Sequence, residues 1–462
     1  MVKVKAFVTK YAYWLFLCGL VALIAGACFT DLSWVVLVYI AGCAVLLTPE
    51  QLVATFMFTW CFDGLPCFTG SPLNGFLWYY LLLLLAGHYF YTYLVERRGR
   101  VNGRLLLVTS VFCLYVVLRS FPLNAGIVYP IYTFGLFVLV YEQREKLAFT
   151  NLLKVLAVGL IVSGVLGLLY YVSPYLKNLF LILPAEYGSM EPYAHDYYRF
   201  QGLTRWCTQY AGLATIVVGG LLLAKYQKRL NDYWFYGLFV PVFIFAYQTL
   251  TRTFLLCALV ALIIFAVAVC WRDRRQAWRT LVPLAGILVA VAVIFFTATM
   301  GNFERIFHDN AMEGAPLEVS KITDEDWAAI KEGDGSYYDI LGRRVLWSFY
   351  ASDWVSSVTN LLWGQGVTHV LFSASTPHNW YLYFVWKYGL VGLVLFGAMF
   401  ALMINWRQWR TKRFWVRLAP CLILVVPILL HGVFDDNGYW APMSIILLIL
   451  WCSEQPRLVV SA

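Results

Sequence analysis

Residues 253–279 read T-F-L-L-C-A-L-V-A-L-I-I-F-A-V-A-V-C-W-R-D-R-R-Q-A-W-R. The stretch 253–271 carries no charge, and Arg272, Arg274, Arg275 and Arg279 follow it directly. A helix needs about 20 apolar residues to cross roughly 30 Å of hydrocarbon, so the first part has the length of a membrane span. The arginines give it a direction, because short basic loops stay on the cytoplasmic side. The composition extends this reading to the whole chain. With 61% hydrophobic, 18% aromatic and 13% charged residues, 462 residues have too little polar surface for a soluble globule. Alternating ten-residue segments of a lipid-exposed barrel are not seen, and backbone polarity then calls for helices.

Apolar runs of span length fall at 11–28, 34–49, 52–69, 75–95, 104–121, 124–141, 152–173, 209–225, 233–249, 253–271, 280–300, 383–404, 416–433 and 438–453. With the N-terminus in the cytoplasm, every basic cluster falls in an even-numbered gap: Arg97, Arg98, Arg100 and Arg104; Arg144 and Lys146; Lys225, Lys228 and Arg229; the arginines after 271; and Arg407, Arg410, Lys412 and Arg413. The expected fold is all-α: a polytopic transmembrane bundle of 12–14 spans, both termini cytoplasmic, built as a single membrane domain over 1–462. Two long loops, 174–208 and 301–380, then lie outside. The larger one is too long for a simple connector. Apolar residues at helical spacing between Tyr338 and Val358 predict an amphipathic helix on the outer membrane surface. The net charge of +9 is spent in the topology clusters, so no nucleic-acid partner is expected. The 11 cysteines show neither metal-ligand spacing nor a disulfide framework. The apolar run after Lys3, Lys5 and Lys10 has no small-residue cleavage site and reads as a retained first helix.

No P-loop, dinucleotide fingerprint, zinc motif or nucleophile elbow is present. The candidates for chemistry are basic groups on the outer side. His378 and Asn379 sit where Pro377 closes the large loop and a new helix opens, a suitable place for a proton-transferring group at a membrane surface. Arg252 lies in a turn so short that its guanidinium must sit near headgroup depth, while Arg199 and Arg343 lie in the two outer loops. Asp435 and Asp436, in the last outer loop, could orient a base or bind sugar; a helix-terminus role is equally open. Converging arginines form a receptor for a diphosphate, and a histidine beside them can take a proton from a hydroxyl. Together they describe glycosyl or phosphoryl transfer from a polyprenyl diphosphate carrier, with no metal or other cofactor required.

These residues resemble the O-antigen ligase and O-antigen polymerase family of bacterial envelope enzymes. The similar stretches are T-L-T-R-T-F-L-L-C-A-L from Thr249, G-R-R-V-L-W at 342–347, L-L-W-G-Q-G-V at 361–367, P-H-N-W-Y-L from Pro377 and Y-G-L-V-G-L from Tyr388. The ligases' histidine, followed after ten residues by glycine, corresponds to His378 and Gly389. Their arginine with leucine four positions on corresponds to Arg199 and Leu203. The resemblance implies an inverting transferase in the bacterial inner membrane, acting on its extracytoplasmic face. His378 would activate the acceptor hydroxyl while Arg199 and Arg252 hold the diphosphate; Arg343 is a further candidate for holding it from its place in the outer loop. The implied donor is a glycan on undecaprenyl diphosphate, and the acceptor a lipid A-core sugar or a carrier-linked sugar, both drawn from among membrane lipids. Histidine at 378 leans toward ligase, and polymerase stays open. A polysaccharide or lipid transporter is the alternative from another class, and would place polar groups at mid-membrane.

Overall fold

The computed structural model describes residues 2–29, 33–65, 72–95, 102–119, 128–172, 200–204, 207–249, 251–272, 274–298, 342–366, 369, 371, 377–404, 414–434 and 446–447. Among them there are helices and no strand. The order is α1 Val2–Ala27, α2 Ser33–Ala44, α3 Pro49–Thr59, α4 Pro72–Leu94, α5 Gly103–Arg119, α6 Val128–Glu142, α7 Phe149–Val172, α8 Cys207–Tyr226, α9 Asp232–Gln248, α10 Arg252–Arg272, α11 Arg274–Ala298, α12 Gly342–Val355, α13 Val358–Trp363, α14 Trp380–Met403 and α15 Phe414–Phe434. A helix lies over each of the first thirteen apolar runs. Of the fourteenth only 446–447 fall within the described residues.

Local chemistry sets several of the helix starts. Thr48 and Gln51 form a reciprocal capping box ahead of α3, with Pro49 at the first helical position. Asn231 caps α9 by accepting from the Trp234 amide, and Ser357 caps α13 by accepting from the Asn360 amide.

Among the described residues four helices are long and apolar enough to cross a membrane: Phe149–Leu169, Cys207–Tyr226, Arg252–Arg272 and Trp380–Met403. The exposed faces of α10 and α5 are those of a membrane protein. On α10 the small and aromatic residues Cys257, Ala258, Ala261, Phe265 and Ala268 are buried, whereas Leu256, Leu259, Ile263 and Val267 form an exposed stripe at helical spacing. On α5 the exposed stripe is Leu107, Val111, Leu114 and Leu118. A helix that buries small residues and turns its large aliphatic ones outward suits lipid as a solvent.

Helix α8 lies at the centre, buried from Gln209 to Ala224. Its glycines permit close approach: a methyl group at Gly219 would stand 3.1 Å from the Ile423 carbonyl oxygen of α15, and one at Gly220 would stand 2.7 Å from Leu153 of α7. Contacts between pairs of residues fix the directions. Thr215 meets His431 while Gly219 meets Ile423, so α8 and α15 are antiparallel. Tyr210 meets Leu160 while Gly220 meets Leu153, so α7 and α8 are antiparallel as well. The Arg272 guanidinium donates to the Tyr226 carbonyl at 2.8 Å, which makes α8 and α10 parallel. One end of the assembly therefore gathers the start of α8, the end of α9, the start of α10 and the end of α15.

Candidate functional site

The start of α14 joins that end, because the Tyr381 hydroxyl donates to the Leu429 carbonyl of α15 at 2.9 Å. Asn379 is the N-cap of α14, accepting from the Leu382 amide at 3.0 Å. Immediately before it, His378 holds the left-handed backbone conformation, φ 48°, rare for a residue with a side chain. The loop is pinned on its other flank, where the Trp347 indole of α12 donates to the Pro377 carbonyl at 2.6 Å. His378 is thus exposed at the mouth of α14 while the residues on either side of it are fixed. Strain of this kind persists only where surrounding contacts over-determine it, and it concentrates at functional positions.

Helix α14 is broken at Gly389, where φ is 61° and ψ −173°. The break fits a second left-handed glycine, Gly364 (φ 67°, ψ −179°), at the end of α13. Across the joint the Gln365 amide donates to the Trp386 carbonyl at 2.8 Å and the Gly366 amide to the Lys387 carbonyl at 2.9 Å. The two backbones are so close that a methyl group at Gly389 would lie 2.5 Å from the Gly364 nitrogen. Helix α5 closes the joint from a third side. The Tyr115 hydroxyl meets the Trp363 and Tyr388 carbonyl oxygens at 2.5 and 2.6 Å, and Arg119 donates to the carbonyls of Trp363 and Gly364.

A polar cluster surrounds this clasp. One Asp353 carboxylate oxygen, on α12, accepts from the Trp386 indole at 2.7 Å and the Gln365 side-chain amide at 2.9 Å. Buried Lys387 donates to the His369 carbonyl at 2.5 Å and lies over the Trp386 ring at 4.8 Å. Leu346 and Tyr350 of α12 are buried, and Tyr350 packs edge-on against Trp386 at 4.8 Å. The amphipathic helix expected between 338 and 358 is therefore present as Gly342–Val355, but its apolar stripe packs against α14.

Arg252 is the exposed first residue of α10, after a turn in which the Thr249 hydroxyl donates to the Ala246 carbonyl at 2.7 Å and lies 3.0 Å from the Thr251 hydroxyl. Arg199 lies outside the described residues, but Phe200 next to it is held beside the same turn: its amide donates to the Gln248 carbonyl at 3.2 Å, and its ring stacks on Phe245. From there 200–204 form a buried strap. The Leu203 amide donates to the Ser163 hydroxyl at 2.9 Å, and the Leu203 carbonyl accepts from the Gly64 amide at 2.9 Å. Gly202, at φ 58°, passes so near α7 that a methyl group on Gly167 would lie 2.6 Å from its Cα. Leu203 is therefore an anchor that fixes the path leading away from Arg199.

The structure brings His378, Asn379 and Arg252 to one end, flanking the end of α15, with the strap after Arg199 beside Arg252. Arg343 is the second residue of α12, and its side chain is outside the described part. Asp435 and Asp436 also lie outside it, just beyond the end of α15. Sequence reasoning did not single out Asp353, Gln365, Lys387, Tyr115 or Arg119. The two glycine motifs at 361–367 and 388–393 were the available signal for them, because the clasp is where those motifs meet. The chain matches no family model, and no curated protein or solved structure similar to it is found.

Proposed function

We propose that this chain is a polytopic inner-membrane glycosyltransferase that moves a glycan from undecaprenyl diphosphate to a sugar hydroxyl, in the manner of O-antigen ligases. The observation that carries the reading is the shared end: a strained, exposed histidine at the mouth of α14 and an exposed arginine at the start of α10, on two helices that both pack against α15. In the proposed step His378 takes the proton from the acceptor hydroxyl, whose oxygen attacks the anomeric carbon from the face opposite the diphosphate. The sugar–phosphate C–O bond breaks with inversion, and undecaprenyl diphosphate leaves with its charge held by Arg252, Arg199 and Arg343. Guanidinium forks suit this leaving group, and the step needs no metal. The 12–14 spans, the cytoplasmic termini and the extracytoplasmic loops 174–208 and 301–380 belong to the same proposal.

One observation favours transport instead. Buried Lys387 stands beside a helix break, as in carriers whose sites use discontinuous helices. A deletion strain complemented with variants separates the readings. Under the transferase reading His378→Ala is made at normal level and leaves bare core with accumulated carrier-linked polymer. Core capped with a single repeat indicates a polymerase. Full glycan transfer by His378→Ala overturns the transferase reading, and loss confined to Lys387→Met supports the carrier.

A further inference from the structure

The opposite end of the bundle holds a cavity of about 180 Å³. Three cations, Lys225, Lys228 and Arg272, line it together with an apolar floor of Leu230, Phe265 and Val269. The cations are not alike. Lys225 is ion-paired with Asp232 and lies over the rings of Phe235 and Tyr236, so its charge is matched within the fold. Arg272 is oriented by the Tyr226 carbonyl at 2.8 Å, and its guanidinium lies 5.3 Å from the centre of the Tyr226 ring. That contact occupies one side of a five-donor fork. Lys228 closes α8: the Lys228 amide donates to the Lys225 carbonyl at 3.0 Å and the Arg229 amide to the Ala224 carbonyl at 2.9 Å. This is the helix-ending pattern whose left-handed position usually belongs to glycine. Here lysine occupies it at φ 57°. A strained backbone that carries a cation to a cavity wall is an outlier that calls for a function.

We propose that this cavity binds a phosphate ester, and that its apolar floor makes the ligand an anionic phospholipid. Lys228 and Arg272 engage the headgroup phosphate, while Leu230, Phe265 and Val269 take the root of the acyl chains. A phosphate suits two converging donors of this kind, and basic pockets between helices at a membrane surface select anionic headgroups. The site lies at the far end from His378 and does not depend on the proposed transfer chemistry.

The test uses full-length protein in nanodiscs of phosphatidylcholine, with phosphatidylglycerol titrated in and retained lipid counted by native mass spectrometry. Thermal melting is followed in parallel, and sodium phosphate alone serves as the soluble arm. Wild type is expected to retain phosphatidylglycerol and melt higher with it, and to be indifferent to sodium phosphate. Lys228→Gly removes the cation and relaxes the backbone. It should melt no lower than wild type in phosphatidylcholine, yet bind phosphatidylglycerol roughly tenfold more weakly, as Arg272→Gln should. Lys146→Gln is the control: Lys146 just precedes α7, whose start lies at the same end as the end of α8, so the change removes one charge there while leaving the cavity intact. Equal losses in Lys228→Gly and Lys146→Gln would show bulk attraction to a charged surface and overturn the site. A melting shift with sodium phosphate equal to that with lipid would overturn the phospholipid assignment.

Discussion

Replacing Gly389 by alanine is the most demanding test of the clasp. At φ 61° and ψ −173° the backbone occupies a region essentially reserved for glycine, and a side chain there costs about 1–3 kcal/mol. The added methyl would also stand 2.4 Å from the Leu362 carbonyl oxygen, 2.5 Å from its carbonyl carbon and 2.5 Å from the Gly364 nitrogen. All three are backbone atoms and cannot swing aside, so α13 and α14 must separate, which costs about 1–3 kcal/mol as overpacking. Separation strains the bonds from the Gln365 and Gly366 amides to the carbonyls of Trp386 and Lys387, each worth about 1 kcal/mol. The total is about 4 kcal/mol or more of lost stability. Gly397, in the same helix, is the internal control: a methyl there meets nothing within 4 Å, and Gly397→Ala should be neutral or stabilise by about 0.5–1 kcal/mol. Both variants are purified in one detergent and melted while monodispersity is followed by size-exclusion chromatography. Melting of Gly389→Ala within about 1 °C of Gly397→Ala would refute the clasp, since a loss of this size should shift the midpoint by several degrees.

Asp353→Ala should cost about 2 kcal/mol, because the Trp386 indole and the Gln365 amide both lose their acceptor, whereas Asp353→Asn should cost less; melting curves of the pair check this. Tyr115→Phe removes the hydroxyl shared by the Trp363 and Tyr388 carbonyls and should lower stability by about 1–2 kcal/mol, measured the same way. Gly167→Ala should push on the strap at Gly202 and destabilise by about 2 kcal/mol, whereas Gly135→Ala, with nothing within 4 Å, should not. Arg252→Ala should still yield monodisperse protein, because the residue is exposed, yet lower glycan transfer by about 100-fold in a reconstituted assay. Unchanged transfer would remove Arg252 from the proposed site.

The helices were readable because apolar length is a one-dimensional property: every run from 11–28 to 416–433 carries one. The shortness of α2 and α3 was less legible: the runs 34–49 and 52–69 are longer than the 12 and 11 residues that are helical, which rise only about 16–18 Å. The break in α14 was not readable. Hydropathy does not sense φ, and Gly389 sits in the apolar run 383–404, whose one charge is Lys387; its partner, Gly364, lies outside that run and is adjacent only after folding. Asp353 escaped for a related reason: a lone acid on an amphipathic helix looks solvated until the indole of Trp386 is placed against it. For Arg199 and Leu203 the spacing was legible, but the part Leu203 plays became visible only with the strap between Ser163 and Gly64.

The main-chain bonds that join α13 to α14 leave no room for a side chain at Gly364 or Gly389, and Tyr115 and Arg119 of α5 close the same joint through its carbonyls. Residues outside these contacts can change while the joint keeps its shape, provided Gly364 and Gly389 stay bare. The rim around His378 can then change its side chains while the chain still folds through the same knot of peptide groups.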